Sequence, residues 1–261
     1  MSKEKIHCHI ITVGLTVLRN YCQSNDLDFR QLDYSKLRSD KNFLSALVKN
    51  IEKDPKKASA ELNSLFSYSE KYNVPIDEVY LISTDTDECE IATKALEKYL
   101  RETYKIQVNI KRVRGYNTKK EGTFYYGLIE LLHTLAEKIN KWKGRVIYFN
   151  ATGGFKPEVA LMVTLGSIYG IPTYYRHEIV GDVVEIPPFP LLLSREKMEI
   201  LKRFTELPSG RKPAEILDIE TAKQLEEAHL IRPIYDSEGI LQKYEITELG
   251  KTLLSLQEKL K

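Results

Sequence analysis

Arg145-Val146-Ile147-Tyr148-Phe149-Asn150-Ala151-Thr152-Gly153-Gly154-Phe155-Lys156-Pro157 is the stretch whose reading decides the fold. Val146 to Phe149 are β-branched or aromatic, which suits a strand buried on both faces of a parallel sheet. Gly153 and Gly154 break it, letting the backbone turn sharply and approach a ligand with no Cβ in the way. Pro157 favours the first turn of a helix. Residues 158–169 follow with Val159, Ala160, Met162, Val163, Leu165 and Ile168, a pattern that predicts a helix buried on nearly all sides. Residues 172–178 predict the next strand. The unit is therefore strand, glycine turn, helix, strand. N–H groups at that helix start are free and carry partial positive charge, which suits a phosphate, and Lys156 adds a full charge there. The same residues also describe an ordinary tight turn with a solvated lysine. Neither a Walker A loop nor the G-x-G-x-x-G dinucleotide turn is present.

Residues 6–13 read as a first strand, followed by Gly14-Leu15-Thr16 and a helix beginning near Val17. This is a second strand-to-helix junction with a glycine at the turn. Thr16 sits where a hydroxyl caps a helix, its simplest role. Arg19 and Asn20 reach a ligand or a partner subunit, or stay on the helix surface. Residues 26–40 are polar and irregular, and 42–52 and 58–72 predict helices. Residues 78–82 predict a strand ending in Ser83-Thr84-Asp85-Thr86-Asp87, ahead of a helix over 88–104. Ser83 and Thr84 then lie at the carboxyl edge of the sheet, where open α/β folds bind ligands. Equally, the cluster caps the helix, with its acids favoured at the helix start. Asp85 and Asp87 have a spacing that suits magnesium, but no third carboxylate joins them in sequence, and no metal site is assigned. Residues 106–113 predict a basic strand near the sheet edge, and a long helix lies within 118–142. Residues 179–186 form a hairpin with the 172–178 strand. His7 and His9 share one face of the first strand and His177 ends another. Imidazoles suit base or metal work, yet strand residues with local hydrogen bonds are the simpler reading. Arg176 and Glu178 read as structural ion pairs. Strand and helix alternate throughout, predicting an α/β fold: a mostly parallel, Rossmann-like sheet with helices on both faces.

Pro187-Pro188-Phe189-Pro190 breaks the pattern and marks the boundary between a larger domain, 1–188, and a smaller one, 189–261. Helices at 195–206 and 219–228, a short helix or turn at 212–217, two strands around Asp236-Ser237-Glu238-Gly239 and a last helix to 260 describe a winged helix-turn-helix. Its would-be recognition helix sets Lys223 against Glu220, Glu226 and Glu227. That acidity counts against DNA, since phosphate contacts dominate such affinity. The 261 residues carry a formal net charge of +2, so no global field for a polyanion is expected. Three cysteines, Cys8, Cys22 and Cys89, form no C-x-x-C pair and suit a reducing compartment. With neither an apolar leader nor a run of membrane-spanning length, a cytoplasmic protein with no membrane partner is expected.

Val13-Gly14-Leu15-Thr16-Val17-Leu18, Leu81-Ile82-Ser83-Thr84-Asp85-Thr86 and Asn150-Ala151-Thr152-Gly153-Gly154-Phe155-Lys156-Pro157 together resemble the CRISPR-associated Rossmann-fold (CARF) domains. With the following winged helix, the chain is similar to the CARF–winged-helix proteins, which include the ring nucleases of type III CRISPR systems. The likeness covers nearly the whole chain, and the Asn-x-Thr-Gly-Gly-Phe-Lys motif is its specific part. It implies a homodimer that binds cyclic oligoadenylate, here cyclic tetra-adenylate, across a two-fold axis. It further implies a metal-independent phosphodiesterase, with no cofactor, that opens the ring to linear di-adenylates with 2′,3′-cyclic phosphate ends and switches off an antiviral signal. The family's hydroxyl residue after the first strand and its lysine after the glycine pair map to Thr16 and Lys156, the catalytic pair. Gly14, Leu15, Arg19, Asn20, Ser83, Thr84, Asn150, Thr152, Gly153, Gly154 and Phe155 form the ligand-binding set. The usual first loop is Gly-Thr-Ser. Here threonine replaces the serine, keeping the hydroxyl but adding a methyl and stiffening χ1, which bears on rate rather than binding.

The chemistry is within reach of these residues. RNA cuts itself when a ribose 2′-OH attacks the adjacent phosphorus in line, and an enzyme has to hold that geometry and stabilise the charge. Adenines stack on aromatic rings, with Phe155, Tyr175 and Tyr126 as candidates. The rival reading is a non-catalytic, cyclic-oligoadenylate-responsive DNA-binding transcriptional regulator. A nuclease with its own effector site is disfavoured, because the tail has no R-x-x-x-x-H pattern and no acidic metal cluster.

Overall fold

Strand β1 (His7–Thr12) is the middle of the architecture, and α1 (Thr16–Ser24), α2 (Tyr34–Leu37), α3 (Lys41–Lys53), α4 (Pro55–Ala58) and α5 (Ala60–Tyr72) follow it. Next come β2 (Glu78–Thr84), α6 (Asp87–Thr103), β3 (Gln107–Val113) and α7 (Thr123–Lys141). The larger unit ends with β4 (Val146–Asn150), α8 (Lys156–Tyr169), β5 (Thr173–Arg176) and β6 (Val183–Ile186). This computed structural model describes residues 5–116, 123–177, 181–186, 195–206 and 219–259. The expected start of a helix at 118–122, Glu178, the proline break at 187–190 and the short helix at 212–217 lie outside those residues.

The six strands are ordered β3-β2-β1-β4-β5-β6. All neighbours are parallel except β5 and β6, which pair antiparallel as the hairpin expected from sequence. The chain runs outward from β1 to β3, then returns to the other side of β1. Crossovers of one hand taken in opposite directions put their helices on opposite faces of the sheet. Leu18 of α1, Leu47 of α3, Leu65 of α5 and Leu96 of α6 share one buried cluster with Ile11 and Leu81. Leu131 and Leu135 of α7 and Met162 and Leu165 of α8 share another with Ile10 and Phe149. Successive strand residues point to opposite faces, so a strand covered on both sides needs the unbroken apolar run seen in Ile10-Ile11.

Three sequence expectations change. The helix expected over 58–72 is α5, which starts at Ala60, while Ala58 ends a separate short helix, α4. Pro55 opens α4, and Ser59 is extended (φ −139°, ψ 130°) with its hydroxyl accepting from Leu62 N–H to cap α5. The irregular stretch 26–40 contains α2, capped by Asp33. Helix α8 is not buried all round: Glu158, Met162, Leu165 and Gly166 are buried, whereas Ala160, Thr164 and Ile168 are exposed. A helix in a single layer buries only the stripe that meets the sheet.

His7 and His9 are strand residues on one face of β1. His9 is fully buried, with Nδ1 2.9 Å from the Tyr174 hydroxyl and Nε2 3.2 Å from the Pro75 carbonyl. Burial pushes its pKa down from 6.5 to about 4. Between those values the unfolded chain binds a proton the folded chain refuses, so stability falls as pH falls from 6.5 to 4. The loss amounts to about 3 kcal/mol. Urea midpoints measured across that window should drop, and His9→Gln should flatten the drop. A variant curve with the wild-type slope would exclude His9 as its source.

Contacts divide the chain into two compact units, residues 1–166 with 171–186 and residues 167–170 with 187–261. The second holds α9 (Arg195–Glu206), α10 (Ile219–Glu227), the antiparallel pair β7 (Ile231–Tyr235) and β8 (Leu241–Ile246), and α11 (Glu248–Lys259). Met198, Leu201, Leu225, Leu230, Ile231 and Leu254 are its buried core. Among the described residues, no helix is long and apolar enough to cross a membrane.

Candidate functional site

Strands β1 and β4 are parallel neighbours on either side of the reversal in strand order. Two loops therefore leave their carboxyl ends in opposite directions and open a crevice, the usual ligand position in such sheets. These are the two glycine turns, and they touch through backbone. Thr12 Oγ1 donates to the Gly153 carbonyl at 2.7 Å. A Cβ on Gly153 would lie 2.7 Å from Gly14 N, and one on Gly14 would lie 3.2 Å from Gly154 N. Gly154 has φ +95°, the left-handed region that favours glycine.

Helices α1 and α8 both begin at this crevice. The first hydrogen bond of α1 runs from Arg19 N–H to the Leu15 carbonyl, and no side chain caps the helix. Thr16 is the first helical residue and not its cap, correcting the simplest sequence reading. Among the described residues, the N–H groups of Gly153, Gly154 and Lys156 make no hydrogen bond, and the exposed Lys156 makes no ion pair. Unpaired amides at a helix start attract anions.

Two buried carboxylates lie under the turns. Glu61, 1 % exposed, accepts from Gly14 N–H at 2.8 Å on Oε1, and from the Thr16 and Ser59 hydroxyls at 2.8 and 2.6 Å on Oε2. Glu158, 2 % exposed, accepts from Phe155 N–H at 2.6 Å. Burial raises the Glu158 pKa, against the lowering effect of that N–H. The shift favours the neutral acid and limits negative charge beneath the anion seat. Beside it, the half-exposed Phe155 ring lies parallel to Tyr116, centroids 5.7 Å apart, with Phe124 edge-on at 5.9 Å.

A family model described as "CRISPR-associated protein (Cas_APE2256)" matches residues 56–189, just over half of the chain. The chain belongs to the Cas_APE2256 family. Its Rossmann-like sheet is that of a CARF-domain protein. Three solved structures are similar at low identity. Csm6 of Enterococcus italicus, bound to cyclic hexa-2'-fluoro-hexa-dAMP, aligns at 13 % identity and TM-score 0.41 over 78 % of this chain and 46 % of its own, so the present chain spans under half of it. Can2 of Sulfobacillus thermosulfidooxidans, in complex with cyclic tetra-adenylate, aligns at 12 % and 0.34, and VC1899 of Vibrio cholerae at 10 % and 0.37. Each of these two covers 97 % of this chain and 68 % of its own. The strand order, not these alignments, carries the fold assignment.

In this Cas_APE2256 chain, Gly14, Leu15, Thr16, Thr152, Gly153, Gly154, Phe155 and Lys156 gather at the two turns. Other residues of the expected set hold the scaffold. Asn150 is fully buried: Nδ2 donates to the Glu61 carbonyl, and Oδ1 accepts from Ser64 Oγ and Thr152 N–H. Asn20 donates to the carbonyls of Lys57 and Ala58 at the end of α4, and the Arg19 guanidinium sits 5.5 Å over the Phe29 ring. Ser83 and Thr84 are buried at the end of β2, Ser83 Oγ donating to the Thr84 carbonyl and Thr84 Oγ1 lying 3.2 Å from Thr86 Oγ1. Asp85 accepts from the N–H groups of Gly115 and Tyr116, and Asp87 pairs with Arg38. Arg176 N–H donates to Thr152 Oγ1.

Glu61, Glu158 and Tyr116 were not legible as site residues. A signal was there for the acids. Glu61 lies four and seven positions before Leu65 and Tyr68, and Glu158 four and seven before Met162 and Leu165, so each occupies the buried stripe of its helix. A carboxylate on an apolar stripe in a helix's first turn needs donors, and here the adjacent turn supplies them.

Proposed function

We propose that this protein is a homodimeric ring nuclease that binds cyclic tetra-adenylate and cleaves it, without a metal, to linear di-adenylates with 2′,3′-cyclic phosphate ends, ending an antiviral signal. The observation that carries the reading is the meeting of two glycine turns where strand order reverses, with unpaired amides and an uncommitted lysine at one edge. A phosphate sits at the amides of Gly153, Gly154 and Lys156, and the Lys156 ammonium stabilises charge that grows on its oxygens in flight. Phe155, with Tyr116 behind it, offers an adenine a stacking face. Family membership supports cyclic oligoadenylate as the ligand class. Exposed aromatic residues on α7, Phe124, Tyr125 and Tyr126, support a second copy as partner. The smaller unit is read as a winged helix that does not engage DNA, since Lys223 shares α10 with Glu220, Glu226 and Glu227.

The test is incubation of purified protein with labelled cyclic tetra-adenylate in EDTA, beside the all-2′-deoxy ring. The ribose ring should be cut to di-adenylates, and the deoxy ring should bind but stay closed, because the nucleophile is missing. Tight binding of both rings with no cutting would replace the enzyme with a ligand-gated regulator. A DNA shift assay with and without ligand would then be the deciding measurement.

A further inference from the structure

Glu61 is a fully buried carboxylate that no cation meets among the described residues. Such a group is costly to keep and is retained here by neutral donors alone: Gly14 N–H, Thr16 Oγ1 and Ser59 Oγ. Its own carbonyl accepts from Asn150 Nδ2, so it ties together the β1–α1 turn, the start of α5 and the end of β4. Thr16 is thereby polarised in a definite sense. A hydroxyl has one proton and two lone pairs. The Thr16 proton is committed to Glu61 at 2.8 Å, and one lone pair accepts from Ala60 N–H at 3.1 Å. One lone pair is left. In this arrangement Thr16 has no proton to offer a phosphate, and it can only accept.

We propose that Glu61 is a positioning residue for ring cleavage, acting through Thr16 to draw the proton from the attacking 2′-OH. The inference rests on the ring-nuclease reading and adds the proton path to it. In the step, the ribose 2′-oxygen forms a bond to phosphorus and the bond from phosphorus to the 5′-oxygen breaks. The 2′-OH proton passes to Thr16 Oγ1 as the Thr16 proton passes to Glu61 Oε2. The leaving 5′-oxygen takes a proton from the Lys156 ammonium; the proton on Glu61 then returns through Thr16 to solvent, and solvent reprotonates the exposed Lys156. The charge and proton count close over one cycle. The groups facing the carboxylate are Gly14 and Thr16 from the first turn, Ser59 from the α5 cap and Gly153 from the second turn, none of them titratable in the working range.

The test measures single-turnover cleavage and ring affinity separately for wild type, Glu61→Gln, Thr16→Val and the double variant. Glu61→Gln should bind the ring within about threefold of wild type and cut it about a hundredfold more slowly. The double variant should be no slower than either single one, because the two residues act as a unit. Glu61→Gln cutting at the wild-type rate would overturn the inference and leave the ring-nuclease reading standing. If circular dichroism shows that Glu61→Gln does not fold, Thr16→Val decides, and cleavage at the wild-type rate by that variant overturns the inference. Wild-type protein that binds but never cuts would overturn the underlying reading, and this inference with it.

Discussion

Lys156→Ala should bind cyclic tetra-adenylate about tenfold more weakly and cleave it about a hundred- to a thousandfold more slowly. The asymmetry follows from where the charge appears. Lys156 is exposed at the first residue of α8, makes no ion pair among the described residues, and stands beside the unpaired amides of Gly153 and Gly154. In the proposed complex it shares a phosphate with those amides, so its loss would remove one charge-assisted contact of several, about 1.4 kcal/mol. In flight the phosphorane carries added charge, and removing one preorganised donor from such a site costs about 10²–10³ in rate. Quenched-flow cleavage with enzyme in excess, paired with equilibrium binding of the deoxy ring, separates the two. A variant that cuts within threefold of wild type would remove Lys156 from the chemistry and leave the amides as the sole anion seat.

Gly153→Ala should destabilise the larger unit by about 3 kcal/mol and abolish ring binding. The added Cβ would meet Glu61 Oε1 and lie 2.6 Å from the Thr12 carbonyl and 2.7 Å from Gly14 N. Two of those atoms are backbone in or next to the central strand, so neither can swing aside as a side chain would. Gly144→Ala is the control. Gly144 also turns the chain, at φ +90°, but nothing stands within 4 Å of its would-be Cβ, so only backbone strain of about 1–2 kcal/mol is expected there. Denaturant unfolding of the two variants should differ in that order. Equal losses would mean that the contact between the turns contributes nothing.

Much of this architecture was legible because the signals were local. The run from Val146 to Phe149, two glycines and Pro157 name a strand, a turn and a helix start, and β4 and α8 follow them within a residue or two. The hairpin of β5 and β6 was readable from Gly181-Asp182 in the same way. Less visible were features that depend on what lies across space. Glu61 is 45 residues from Thr16 in the chain, and no periodicity announces that its carboxylate holds that hydroxyl. Asn150 and Asn20 carry side chains able to touch a ligand, yet the Nδ2 group of each donates to backbone distant in sequence. Helix α8 looked buried all round because composition reports how apolar a helix is and not how many layers cover it.

The position of β1 also has a consequence for the order in which the molecule comes into being. His7 to Ile11 pair with Val146 to Asn150, so the central contact joins segments almost 140 residues apart. Local pairs such as β5 with β6 close early, whereas a contact of this separation has to overcome a large loop-closure entropy before it gains anything. On the ribosome, the first glycine turn emerges long before its partner exists. Until β4 docks, Gly14 has no Gly153 to lean on. A nascent or truncated chain ending before residue 150 can build the β1–β2–β3 half and still present no crevice. Docking of β4 and the meeting of the two turns are thus one event in time, and a fragment that ends before β4 carries one glycine turn without the other.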